Sequence, residues 1–215
     1  RIGNEQQTLL IIDDVLLNPE VLVEAAASTP FVSPEGTYYP GGNAPLPAGY
    51  LPVLMPILRP TLDRAFGIAS SAHLNVTSFF ALATLTADAM QPLQKIPHYD
   101  QTDPDCLAFV HYLGRNQSGG TGFFRHMATG YESITADRRD DYRQRITAEL
   151  ESVNLTGFAG PDTPNYEMID AVEPQFNRLI IYRSHVLHCA LFEGATLSAD
   201  PRIGRLTANT FCHVI

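Results

Sequence analysis

Cysteine is scarce in this chain of 215 residues, and its few thiols are poorly placed for a shared function. Cys106, Cys189 and Cys212 are odd in number and far apart, so they form neither a zinc motif nor a redox pair. A chain with few cysteines and no disulfide pattern fits the reducing cytoplasm, which is the location that we expect.

Basic residues are also few. The chain has 14 Lys and Arg against 23 Asp and Glu, which gives a net charge of −9. A nucleic-acid partner would require a basic surface, so we expect no nucleic acid to bind. The densest basic stretch, residues 138–145, is interleaved with acids and predicts the solvated face of a helix.

Long apolar runs are missing as well. No segment reaches the length of a membrane span, and no charged start followed by an apolar stretch indicates export. We therefore expect no membrane association.

The residues that are present predict one mainly β domain with flanking helices. With 45% hydrophobic and 17% charged residues, the chain can bury a sizeable core. Predicted helices lie at 19–27, with Asn18 as the N-cap and Pro19 at the first helical position, at 51–66 despite Pro56 and Pro60, and near 136–153. Predicted strands lie at 9–12, 76–85, 106–113, 122–125, 166–172, 179–182 and 205–214, with another starting at His188, and residues 30–50 are predicted to be an irregular loop. We expect 1–70 to give helical and loop support and 71–215 to form an antiparallel sandwich or barrel.

His98 and Asp100 are the strongest chemical signal in the sequence. Two residues apart, their side chains project from the same face of an extended segment. One further histidine would complete the two-His-one-carboxylate set, which binds one face of an octahedral metal and leaves positions open for other ligands.

The third ligand is expected after the apolar strand 179–182. His185 and His188 both qualify, and His188 is favoured because it opens the apolar segment 189–192. Asn177 stands before the strand, at a point where a residue that tolerates positive φ is often needed.

A carboxylate-binding site is expected at the start of the last strand. Alternation places Arg205, Thr207, Asn209, Phe211 and His213 on one face of that strand. A guanidinium beside a hydroxyl can bind a carboxylate through paired, charge-assisted hydrogen bonds.

The order of these motifs resembles the Fe(II)/2-oxoglutarate-dependent dioxygenases, and most closely their prolyl-hydroxylase-like branch. The resemblance runs from His98-Tyr99-Asp100 through Tyr112-Leu113 and the turn Ser118-Gly119-Gly120-Thr121 to His188 and Arg205-Leu206-Thr207. One departure is that Thr121 follows the glycine pair directly, without an intervening residue. The resemblance implies a double-stranded β-helix, the jelly-roll core that cupins share.

The resemblance also implies roles for single residues. Fe(II) would be held by His98, Asp100 and His188, while Arg205, with Arg202 as the alternative, would bind the distal carboxylate of 2-oxoglutarate. Tyr112 and Thr207 would contact the same co-substrate, and O2 would take the remaining metal position. Halogenating relatives have a small residue in place of the acid, so the presence of Asp100 favours hydroxylation.

The substrate is not encoded in a motif. A protein side chain, an amino acid or a small metabolite fits, and Arg125 and His126, beyond the glycine turn, are candidate substrate contacts. Tyr38 and Tyr39 either belong to a lid or pack in their Pro/Gly-rich loop. The alternative function is a cupin-like metal-binding barrel with a hydrolytic or purely ligand-binding role.

Overall fold

Antiparallel strands make up most of the fold in the computed structural model, which describes residues 1–34, 36, 38–115 and 119–215. Ser118, the first residue of the glycine turn, lies outside the described residues. The strands are β1 Leu9–Ile12, β2 Gly41–Pro45, β3 Leu74–Ala83, β4 Cys106–Tyr112, β5 Thr121–His126, β6 Tyr166–Val172, β7 Leu179–Arg183, β8 His188–Ala190 and β9 Arg205–Val214. The helices are α1 Glu20–Ala27, α2 Tyr50–Phe66 and α3 Arg139–Ser152, with short 3-10 helices at Ala87–Ala89 and Pro92–Lys95.

Two antiparallel sheets carry these strands. The larger sheet has the order β1-β7-β4-β9-β3-β2, and the smaller one has the order β6-β5-β8. The predicted mainly β architecture with helices is confirmed, and the expected strand at His188 is β8.

Strand β9 shows how the sheets divide the core. Leu206, Ala208 and Cys212 face a cluster that includes α1 and α2, whereas Phe211 packs on the opposite side, against residues of both sheets. The predicted alternation of β9 is therefore confirmed, and Arg205 and Thr207 share the parity of Phe211. A third cluster packs α3 against the outer face of the smaller sheet.

Helix α2 forms despite two internal prolines. Leu54, Leu58 and Leu62 are fully buried on one side, and Pro56 and Pro60 lie on the exposed side. Proline removes a backbone donor and favours a kink. Burial of the leucine stripe outweighs that cost, since each buried leucine contributes about 1.5–3 kcal/mol.

Two local predictions were wrong. Residues 30–50 are not all loop, because Gly41–Pro45 pairs with β3 as an edge strand. Helix α1 is not capped by Asn18: its N-cap position is Pro19, and no side chain caps the first turn.

The three cysteines are free thiols and buried. Among the described residues, no helix combines the length and the apolar character needed to cross a bilayer.

Candidate metal centre

His98, Asp100 and His188 come together at one point, and one potential ligand atom from each lies within 4.8 Å of the others. Nε2 of His98 is 3.6 Å from Oδ1 of Asp100, and Nε2 of His188 is 3.6 Å from Oδ2. The side chain of His98 is half-exposed, while those of Asp100 and His188 are largely covered. The cluster is thus reachable from solvent on the His98 side.

Backbone pairing fixes the separation of the two histidines. The amide of His98 donates to the carbonyl of His188 at 2.9 Å, and the reverse bond is 2.8 Å. The amide of Asp100 donates to the carbonyl of Ser184, also at 2.9 Å. Main-chain hydrogen bonds therefore hold the two segments together. The convergence of the three ligand atoms does not require contacts between the side chains themselves.

A carbonyl oxygen sets the tautomer of His188. Its Nδ1 lies 2.9 Å from the carbonyl oxygen of Val186, which can only accept, so Nδ1 carries the proton. Nε2 is then a lone-pair donor that faces Asp100. Such a hydrogen bond on the far nitrogen is the usual orienting contact of a metal-binding histidine.

The electrostatics of the cluster also favour a cation. Desolvation and the neighbouring His188 ring lower the pKa of His98 to about 4, and desolvation lowers the pKa of His188 to about 4 despite its bond to Val186. Both rings are therefore neutral near pH 7. Desolvation raises the pKa of Asp100 to about 6, because burial disfavours an isolated carboxylate.

The competing histidine lies elsewhere. His185 is buried, and neither ring nitrogen has a hydrogen-bond partner among the described residues. It is not part of the set that the structure brings together, which contains His188.

Arg205 is a buried guanidinium, and no acid among the described residues pairs with it. Its Nε donates to the carbonyl of Gly119 at 2.5 Å, and Nη2 lies 3.4 Å from the carbonyl of Gly120. The guanidinium carbon is 5.2 Å from the ring centre of Phe192. No carboxylate in the described part of the chain forms an ion pair with it. Arg202, the alternative, is exposed and paired with Glu24.

The glycine turn is built around this arginine. Gly119 has φ +94°, a conformation that side chains rarely adopt, and a Cβ there would overlap with Cδ of Arg205. The glycine is therefore required both by the backbone conformation and by the close approach of Arg205.

Tyr112 and Thr207 lie opposite each other on β4 and β9, as register partners. The hydroxyl of Tyr112 is 2.7 Å from Oγ1 of Thr121, and Oγ1 of Thr207 is 3.5 Å from the carbonyl oxygen of Ala81. The structure thus brings Tyr112 of β4 to Thr121 of β5 and aligns it with Thr207 of β9, the strand that also carries Arg205.

Tyr182 lies near both the metal cluster and Arg205, and the sequence analysis did not predict it. Its ring centre is 4.8 Å from that of His188, and it is buried within range of the charges of both Asp100 and Arg205. Burial above all raises the pKa of Tyr182 well above its usual value. Its parity on β7, shared with Ile180, was the available signal.

Arg125 and His126 make their polar contacts elsewhere. Arg125 pairs with Glu132 at 2.5 Å and Glu167 at 2.6 Å, while Nε2 of His126 is 3.0 Å from Glu149. The ring of His126 also packs beside Tyr142 of α3. The structure therefore does not bring these two residues into the metal cluster.

A family model described as "Family of unknown function (DUF6445)" matches residues 1–212 of the chain. The chain belongs to the DUF6445 family. No curated protein matches this DUF6445 chain in sequence.

Solved structures share the fold of the DUF6445 chain at low identity. The non-heme alpha ketoglutarate dependent carbocyclase SnoK from nogalamycin biosynthesis is 16% identical, with 98% of this chain and 81% of SnoK covered and a TM-score of 0.57. The epimerase SnoN, in complex with Fe3+, alpha ketoglutarate and nogalamycin RO, is 11% identical, with 98% and 80% covered and a TM-score of 0.53.

HygX from Streptomyces hygroscopicus, with nickel, 2-oxoglutarate and hygromycin B bound, is 11% identical to the DUF6445 chain. The similarity covers 98% of this chain and 84% of HygX, at a TM-score of 0.51. HygX and SnoN were crystallised with nickel or iron and with 2-oxoglutarate, and this chain has a His-Asp-His cluster that could bind a metal.

Proposed function

We propose that this DUF6445 protein is an Fe(II)- and 2-oxoglutarate-dependent oxygenase with a double-stranded β-helix core in a single domain. His98, Asp100 and His188 would hold the metal, since two neutral imidazoles and one carboxylate suit Fe(II) and leave open positions. When bound, Fe(II) and 2-oxoglutarate supply oxidation by O2, with 2-oxoglutarate converted to succinate and CO2.

The observation that carries the proposal is the burial of the Arg205 guanidinium away from any acid of the described residues. A buried charge is costly unless it is paired, and among the described residues this guanidinium has hydrogen bonds to two carbonyl oxygens and no carboxylate partner. A carboxylate ligand would supply the missing counter-charge through the remaining N–H groups. A dicarboxylate co-substrate is a group that this buried guanidinium fits.

Tyr112 and Thr207 support the same co-substrate site in this proposal. Both are buried, and they face each other across the β4–β9 pair that ends at Arg205. Assignment to the prolyl-hydroxylase-like branch rests on Tyr112-Leu113 and the glycine turn alone. Hydroxylation of a small molecule, amino acid or protein side chain is the reaction that we propose, because Asp100 is retained.

The substrate contacts predicted for Arg125 and His126 remain predictions. Their contacts with Glu132 and Glu149 occupy the groups that would bind a substrate, and this favours a structural role. The half-exposed edge of His98 is the side from which a substrate can approach the metal.

The test is calorimetric titration of 2-oxoglutarate into Ni(II)-loaded protein, together with the visible spectrum of the anaerobic Fe(II) complex. We expect saturable binding, a weak visible band, and about 100-fold weaker binding in Arg205→Gln, since a lost charge-assisted pair costs about 2–3 kcal/mol. Arg202→Gln, which changes an exposed arginine, should bind like wild type. Absence of both binding and the band in correctly folded wild type would refute the proposal and favour the hydrolytic or non-enzymatic barrel.

A further inference from the structure

The segment that carries His98 and Asp100 lies at the edge of the smaller sheet. His98 forms a bridge with His188, which extends that sheet by one short segment beyond β8. In the described part of the chain, main-chain hydrogen bonds join residues 98–100 only to His188 and Ser184. A segment that is bonded along one edge has few backbone contacts, so its rigidity depends on side-chain packing. The two ligand side chains project into the metal cluster, and the packing must come from the other face.

Tyr99 supplies packing on that opposite face. Successive residues of an extended segment project to opposite sides, so Tyr99 faces away from the side chains of His98 and Asp100. Its ring is partly buried in the cluster that joins α3 to the smaller sheet. The ring centre lies 6.1 Å from that of Tyr142, at an interplanar angle of 68°, which is an edge-to-face arrangement that aromatic pairs prefer. This contact ties the ligand segment to α3.

Tyr142 is itself fixed in place. It is the buried residue of α3, and its hydroxyl lies 2.8 Å from that of Tyr166 on β6. Its ring centre is 5.2 Å from that of His126 on β5. Glu149, further along α3, lies 3.0 Å from Nε2 of His126. Because α3 is joined to both β5 and β6, Tyr142 offers Tyr99 a fixed surface.

The smaller sheet itself does not require α3. Residues 127–165, which include α3, connect β5 to β6, and these two strands pair antiparallel. A two-residue turn is enough to join such a pair. A much longer connection in a compact domain usually has a function of its own. The packing of α3 behind Tyr99 gives this connection a function at the metal cluster.

We propose that Tyr99 is a positioning residue of the metal centre: its ring, packed on Tyr142 of α3, holds His98 and Asp100 in the geometry that a metal ion requires. His188 has its own orienting contact through Nδ1. Tyr99 is the corresponding support for the other two ligands, and it does not itself touch the metal. The inference rests on metal binding in the proposed function, and it gives α3 a role that no sequence motif indicated.

The test compares the Ni(II) affinity, the visible spectrum of the Co(II)-loaded protein and the melting temperature between wild type and variants. The Co(II) bands report the geometry of the ligands. Tyr99→Phe keeps the ring, whereas Tyr99→Ala and Tyr99→Leu remove it. Tyr131→Ala is the matched control. Tyr131 is a partly buried tyrosine of the same cluster and contacts Asp141 of α3, but it lies outside the ligand segment.

We expect Tyr99→Ala to weaken Ni(II) binding about 10–100-fold, the usual effect of removing an orienting contact, and to shift the Co(II) bands. Tyr99→Phe should bind Ni(II) like wild type, since the contact is made by the ring. Tyr99→Leu keeps apolar bulk and therefore the fold, and it should still weaken Ni(II) binding about 10-fold. Tyr131→Ala should lower the melting temperature without changing the Ni(II) affinity or the spectrum.

Two results would overturn the inference. One is a wild-type Ni(II) affinity and Co(II) spectrum in Tyr99→Leu, and the other is an equal loss of Ni(II) affinity in Tyr131→Ala. The second result would mean that the general stability of the cluster, and not Tyr99, sets the affinity. Neither result affects the proposed function as long as wild type binds Ni(II) and 2-oxoglutarate. If wild type does not bind Ni(II), the metal centre itself fails, and the role of Tyr99 fails with it.

Discussion

Arg205 and Arg202 show why the site residues were only partly predictable. Both are arginines at plausible distances after His188, and the pairing with Thr207 favoured Arg205. Burial is what distinguishes them in the structure: the Arg205 guanidinium is enclosed with no acidic partner in the described part of the chain, and that of Arg202 lies on the surface beside Glu24.

His188 and His185 provide a residue-scale prediction. Because only His188 lies with His98 and Asp100, His188→Ala should weaken Ni(II) binding by more than about 100-fold, beyond the 10–100-fold typical of outer contacts. His185→Ala should retain wild-type affinity. Calorimetric titration with Ni(II), checked by melting temperature, measures both variants. A large loss in His185→Ala with an unchanged fold would identify His185 as the ligand instead.

Strand β2 was missed because its residues have no strand character. The segment Gly41–Pro45 contains glycine, asparagine and proline, which are all depleted in strands. Tertiary pairing with β3 overrides that preference, and sequence patterns do not report such pairing. By contrast, β6 and β9 were predicted with their observed bounds, since their alternating or β-branched runs carry the signal locally.

The β2–β3 pair leads to a prediction at the scale of the element. A Cβ at Gly41 would overlap with the carbonyl oxygen of Leu82, a backbone atom that cannot rotate away. Gly41→Ala should therefore destabilise the protein by about 1–3 kcal/mol, the usual cost of overpacking. Gly160→Ala is the control, since nothing lies within 4 Å of a Cβ there. Urea unfolding measures both variants, and equal stability of the two would contradict the close approach.

At the scale of the whole molecule, the N-terminal third is built into the core sheet. This third contains α1 and α2, and its strands β1 and β2 form the two edges of the larger sheet. The order of the motifs along the chain was enough to predict a mainly β fold. The edges were less predictable, because their pairing joins segments far apart in the chain: β1 pairs with β7, and β2 pairs with β3.

His111 connects the parts of the fold through one buried network. Its Nδ1 lies 3.2 Å from the hydroxyl of Tyr50, at the start of α2, and Nε2 lies 3.1 Å from Oδ1 of Asn177. Asn177, at φ +66° as the sequence suggested, also bonds the backbone of Leu16. A neutral ring satisfies both contacts, since Nε2 donates to the amide oxygen and Nδ1 accepts from the phenol.

This network makes the metal-free protein sensitive to acid. Burial lowers the pKa of His111 to about 4, with the Asn177 bond opposing, whereas an unfolded histidine titrates near 6.5. Between these values the unfolded chain binds a proton that the folded chain does not, so the free energy of unfolding falls as pH falls. The loss reaches about 3 kcal/mol by pH 4. His111→Gln can keep both hydrogen bonds without titrating, so its urea-unfolding free energy should fall less over this range, while the exposed-site variant His73→Gln should follow wild type. If His111→Gln loses as much stability as wild type between about pH 6.5 and pH 4, the acid sensitivity arises elsewhere in the molecule.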